Sequence, residues 1–235
     1  MTEEKYFEYI GVDETGVGDY FTPVISVACY IPKQSISLIK SLGIKDSKKL
    51  SDKKIIELAK YIQEKNLVFI KHTILSQAGY NTLTKMGINN NAVKTLIHFN
   101  SISRLKKRIN KNIPIVIDQY ASIENIKKHD QTLKSKNMFL DINLNDYDLV
   151  LETGAEDNYL SVACASIFAR YILLQKMEEQ KEKYDNFNFK LGASNLIVDL
   201  AADFILKFGE KELGNVAKVS FKTTDKAKEK IKCDN

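Results

Sequence analysis

Asp13 and Glu14 stand side by side where an apolar alternating run meets a glycine-spaced turn, in Ile10-Gly11-Val12-Asp13-Glu14-Thr15-Gly16-Val17-Gly18-Asp19-Tyr20-Phe21. Two adjacent acids followed by backbone that can approach a ligand closely suit a metal ion that touches a polyanion. Asp118 ends a second apolar run, Ile113-Pro114-Ile115-Val116-Ile117, and Glu156 opens a helix shortly after a third, Leu149 to Glu152. Each acid taken singly also has an ordinary structural reading. Asp13 and Glu14 read as a polar strand end, Asp118 as the start of an Asx turn, and Glu156 as an acid at a helix N-terminus. Together they are four carboxylates at the ends of secondary-structure elements, an arrangement that holds hard divalent cations.

The elements that must position these acids follow from periodicity. Strand signals recur at Tyr6 to Val12, Val24 to Ile31, Leu67 to Ile74, Ile113 to Ile117 and Leu149 to Glu152, all rich in β-branched or aromatic residues. Period two puts Asp13 and Glu14 on opposite faces unless the ladder breaks there, and the glycines are expected to break it. Ser51 can cap a helix with Ile55, Ile56, Leu58, Ala59 and Ile62 as its stripe. A second helix begins near Asn91, and a third is expected over Asp157 to Lys183. A turn marked by Pro23 joins the first two strands, and later strands alternate with helices. The fold class is therefore α/β, a mixed sheet flanked by helices.

Composition sets the outer bounds. The chain has 235 residues, 44% hydrophobic and 28% charged, ordinary for a globular protein of one domain. The last ten residues, Lys226 to Asn235, read as a basic, solvated tail. Apolar stretches read as interrupted before the ~20 residues of a membrane span, and a cytoplasmic location is expected. Cys29, Cys164 and Cys233 are too scattered for a disulfide framework or a thiolate zinc site. The formal net charge is +5, and its lysines cluster: Lys45 to Lys54, Arg104 to Lys111, and Lys218 to Lys232. All three clusters are candidates for phosphate contact. The first is favoured because Asp46-Ser47-Lys48-Lys49 precedes a helix start, whereas the second also suits a helix C-terminus.

On these residues the chain resembles the type 2 ribonucleases H, and ribonuclease HIII most of all. The segments that carry the resemblance run in order. They are Gly11 to Pro23, Asp46 to Leu50, Asn89 to His98, Asp118-Gln119-Tyr120, Thr153-Gly154-Ala155-Glu156, Val162 to Tyr171, and Gly192-Ala193-Ser194. The resemblance implies an RNase H-like fold with a five-stranded mixed sheet in a catalytic domain over residues 1–225. It implies endonucleolytic hydrolysis of the RNA strand of RNA/DNA hybrids by two metal ions, Mg²⁺ or Mn²⁺, leaving 5′-phosphate and 3′-hydroxyl ends. The family's catalytic and metal-binding carboxylates fall on Asp13, Glu14, Asp118 and Glu156; Asp157 is adjacent, but counting back from Ala165-Ser166 selects Glu156. The substrate-binding positions fall on Gly16, Val17 and Gly18, whose backbone meets the ribose 2′-hydroxyl, and on Ser47, Lys48 and Lys49, with Lys48 near phosphates.

The resemblance also sets alternatives. Incision at single ribonucleotides, as in ribonuclease HII, is one; a non-catalytic hybrid-binding module is the other. The hybrid is the expected partner, with no membrane. Gly-Asp-Tyr-Phe stands where ribonuclease HII relatives usually have Gly-Arg-Gly, and Gly154 stands where the family usually has lysine. Only twelve residues precede Asp13, so the TATA-binding-protein-like N-terminal domain of ribonuclease HIII is expected to be absent.

Overall fold

The computed structural model describes residues 8–44, 50–138 and 143–233. Five strands, β1 (Ile10–Thr15), β2 (Val24–Tyr30), β3 (Phe69–Leu75), β4 (Ile115–Asp118) and β5 (Leu149–Glu152), form one sheet in the order β3-β2-β1-β4-β5. β1 is antiparallel to β2 and parallel to β4, and β4 is parallel to β5. This is the mixed sheet expected: a hairpin first, then strands added through helical crossovers. The helices are α1 (Ile36–Ser41), α2 (Asp52–Glu64), α3 (Gln77–Lys85), α4 (Asn90–Ile109), α5 (Ile123–Ser135), α6 (Ala155–Asn158), α7 (Leu160–Lys183), α8 (Asn195–Phe208), α9 (Glu210–Val216) and α10 (Lys222–Cys233). Ser51 caps α2 as expected, its side chain accepting from the Lys54 amide, and Ile55, Leu58, Ala59 and Ile62 are buried.

Several boundaries differ from the sequence reading. The ladder of β1 runs on through Asp13↔Val27, Glu14↔Ser26 and Thr15↔Ile25. The break comes only at Gly16, whose φ is +83°. Asp13 and Glu14 therefore do leave opposite faces of the strand. The expected helix from Asp157 is two helices, because Tyr159 adopts an extended conformation (φ −122°, ψ 113°) between α6 and α7. By length and composition α7 would suffice to cross a membrane, contrary to the sequence expectation, and 61% of its most apolar window is buried inside the fold. The C-terminal segment is helix rather than loose tail as far as Cys233, because Thr223, Thr224 and Ala227 make a buried stripe among its lysines.

The chain divides into two compact units. The first comprises Met1–Thr15, Ile25–Ile74 and Asn90–Ile172. It holds nearly all of the sheet, with Val12, Val27, Val116 and Ile117 fully buried and α4 packed on β1. The second comprises Gly16–Val24, Leu75–Asn89 and Leu173–Asn235. Its core is aromatic, built from Tyr20, Phe21, Tyr184 and Phe204, and α8 packs against α9 and α10.

Candidate active site

The acids of the first unit are brought together by close packing of strand on helix. A Cβ on Gly11 would lie 2.2 Å from the Val162 amide nitrogen, so only glycine lets the first turn of α7 press directly on β1. One turn further along α7, Ser166 hydrogen-bonds the Asp13 carboxylate, whose Oδ1 also accepts the Glu14 amide at 2.8 Å. Asp13 is buried, and its pKa is raised well above the ordinary carboxylate value. Burial is the largest cause, followed by the charge of Glu14, with a smaller contribution from Glu156.

Glu14 leaves the other face, toward α4. Lys94 Nζ lies 2.6 Å from its Oε1 and His98 Nε2 lies 2.9 Å from its Oε2. Burial alone would raise its pKa; the hydrogen bond from His98 and the positive charges of His98 and Lys94 more than reverse this and hold it at about 2. His98 is fully buried, and its Nδ1 has no hydrogen-bond partner among the described residues. Facing a carboxylate, which can only accept, Nε2 carries a proton and donates to Glu14.

Asp118 ends β4, and its Oδ1 accepts the amides of Gly154 at 2.8 Å and Ala155 at 3.2 Å. Gly154, with a φ of +69°, is the N-cap of α6. Glu156, in the first turn of α6, is buried, whereas Asp157 is exposed. Asp13, Glu14, Asp118 and Glu156 line one cavity of about 490 Å³, which Asp52, Ser166 and Arg170 also line. Arg170 is held there by a paired contact to Asp52, 2.9 Å from Nε and 3.2 Å from Nη2.

The four acids share this cavity without enclosing an ion, for among the described residues no three His, Cys, Asp or Glu side chains are gathered closely enough to do so. The donor set still fits a hard divalent cation. It is all carboxylate, and the buried Asp13 carries the repulsion of two acidic neighbours that a cation would relieve. Mg²⁺ takes few protein oxygens and completes its shell with water and substrate phosphate.

The other sequence candidates fare unevenly. Gly16, Val17 and Gly18 form the turn that follows β1, and Gly18 is exposed with no atom within 4 Å of where a Cβ would stand. Ser47, Lys48 and Lys49 lie outside the described residues. The second basic cluster is largely engaged by the protein itself. Arg104 donates to the His72 carbonyl, and Lys111 to Glu8 and Tyr30. Lys218, counted in the third cluster, is fully buried and out of reach of any phosphate. The sequence reading missed Lys94, His98, Ser166 and Arg170 as site residues. Lys94 and His98 share the i, i+4 spacing that puts two side chains on one helix face.

The sequence model of the family Ribonuclease HII matches residues 10–224. Ribonuclease HIII of Staphylococcus aureus is 34% identical over 233 residues, covering 96% of this chain and 69% of its own. Ribonuclease HIII of Bacillus velezensis is 35% identical over 226 residues, covering 93% of this chain and 67% of its own. Among solved structures, Bst-RNase HIII in complex with Mn²⁺ superposes with a TM-score of 0.88 at 30% identity, covering 98% of this chain and 72% of its own.

Proposed function

Because the chain belongs to the ribonuclease HII family, with relatives named ribonuclease HIII, we infer that it is an endonuclease that hydrolyses the RNA strand of RNA/DNA hybrids with Mg²⁺ or Mn²⁺. The observation that carries this reading is the single cavity lined by Asp13, Glu14, Asp118 and Glu156 at the ends of β1 and β4 and the start of α6. Asp13, Asp118 and Glu156 would hold the cations, with Glu14 at their edge. When bound, the cations would activate the attacking water and neutralise the leaving 3′-oxygen.

The protein's own residues do the positioning. The backbone donors of Gly154 and Ala155 orient Asp118, and Ser166 orients Asp13. Lys94 and His98 keep Glu14 ionised and fixed. Arg170, restrained by Asp52, offers a guanidinium at the cavity wall for a substrate phosphate.

The relatives named ribonuclease HIII, and the Gly-Asp-Tyr-Phe form of the turn that resembles theirs, support continuous hybrid rather than single ribonucleotides as the substrate. Asp19 accepts the Gly192 amide at 2.6 Å and Tyr20 is buried, so both serve the turn's architecture. Cleavage of three substrates tests the assignment: a continuous hybrid, duplex DNA with one ribonucleotide, and single-stranded RNA, each with and without Mg²⁺. Metal-dependent cutting of the hybrid is expected to dominate. Preferential incision of the single-ribonucleotide duplex would replace this reading with the ribonuclease HII type.

A further inference from the structure

Lys218 lies between α9 and α10 and is fully buried. Its Nζ donates to the carbonyls of Gly16 at 2.6 Å, Asp19 at 2.5 Å and Thr22 at 2.7 Å. Its own amide donates to the Tyr20 carbonyl at 2.9 Å. Tyr80 and Phe221 flank the ammonium, their ring centroids 5.6 and 5.8 Å away. Burying a lysine is costly unless its donors are all satisfied, and here one ammonium meets three backbone carbonyls of one turn. Burial draws its pKa down to about 7, yet only the charged form has three N–H bonds for three acceptors.

The consequence lies in peptide geometry. In a planar trans peptide the carbonyl of one residue and the N–H of the next point in opposite directions. With the Gly16 carbonyl held on Lys218, the Val17 N–H must point away from it. The Asp19 carbonyl is held in the same way, and the following amide, Tyr20, points off to the Gly192 carbonyl at 2.9 Å. The fixed shape also depends on Gly16, where a Cβ would meet the Pro23 carbonyl oxygen at 2.2 Å. Thr22 adds a further tie, its Oγ1 donating to the Gly16 carbonyl at 3.0 Å.

We propose that Lys218 is a positioning residue for sugar recognition: its buried ammonium gathers the carbonyls of the Gly16 to Thr22 turn and so presents the Val17 N–H as a donor to the ribose 2′-hydroxyl. The proposal rests on the reading that the Gly16 to Gly18 backbone meets that hydroxyl. Lys218 itself touches no substrate.

The test is binding in Ca²⁺ of two duplexes of one sequence, RNA/DNA hybrid and all-DNA, by wild type, Lys218→Met, Thr22→Val and Gly18→Val. For Lys218→Met the preference for hybrid over DNA is expected to fall about tenfold, the worth of one hydrogen bond, with affinity for DNA unchanged. Thr22→Val, which keeps the lysine, is expected to lose about threefold of the preference, on the same scale. It decides the matter if Lys218→Met does not fold. An equal loss on both duplexes, or an unchanged preference, overturns the proposal. If Gly18→Val removes the preference while the Lys218 and Thr22 variants retain it, Lys218 has no part and the turn reading stands. If wild type shows no preference, or Gly18→Val keeps it, the turn reading itself fails and the proposal with it.

Discussion

Glu14 is the acid whose state the protein controls most tightly, since basic side chains of α4 hold both of its oxygens. Its folded pKa of about 2, against an ordinary 4.5, is a stability statement with a definite sign. A depressed carboxylate contributes stability that is complete above the unfolded value and is lost as pH falls from there through the folded one. The shift corresponds to about 3 kcal/mol. In metal-free urea titrations, Glu14→Gln should therefore be less stable than wild type near pH 6, with the gap closing between about pH 4.5 and 2. A gap that does not change with pH would show that Lys94 and His98 do not hold the ionised carboxylate. For the fourth acid, Glu156→Gln should reduce hybrid cleavage at least a hundredfold, while the exposed Asp157→Asn should stay within about twofold of wild type. Steady-state rates on one hybrid compare them, and the opposite order would move the ligand to Asp157. Asp13, Asp118 and Glu156 were legible because an acid ending an apolar run, or opening the helix after one, stands out in a sequence. Lys94 and His98 were not. A basic pair on a helix reads as a solvated face until the helix is docked on β1.

At the scale of elements, strand identity was legible from β-branched content, and the mixed sheet followed from the alternation of strands and helices. Boundaries were less so. Apolar periodicity runs across Tyr159, so the extended residue that separates α6 from α7 leaves no trace in the pattern. The lysines of α10 masked its short buried stripe of Thr223, Thr224 and Ala227. The tight packing of β1 against α7 depends on Gly11, which alone in that strand signals backbone proximity. Gly11→Ala would place a methyl group 2.2 Å from the Val162 amide nitrogen, forcing strand and helix apart. A loss of about 3 kcal/mol or more in chemical unfolding is expected, with hybrid cleavage lost along with it. Wild-type stability in that variant would contradict the tight packing that sets Ser166 on Asp13.

On the scale of the whole molecule, a chain of net charge +5 gathers five carboxylates, Asp13, Glu14, Asp52, Asp118 and Glu156, around one cavity. Such a cavity repels a polyanion until cations fill it. Once filled, this cavity cuts the RNA strand of a hybrid. The most direct measurement is cleavage of a continuous RNA/DNA hybrid over a titration of Mg²⁺ and of Mn²⁺, with EDTA as the blank, by wild type and by Asp118→Asn. Wild type should release oligoribonucleotides with 5′-phosphate ends only when metal is present, and Asp118→Asn should be at least a hundredfold slower at every metal concentration. Cleavage that persists in EDTA, or an Asp118→Asn variant that cuts at the wild-type rate, would show that the metal-loaded cavity is not the site of cleavage.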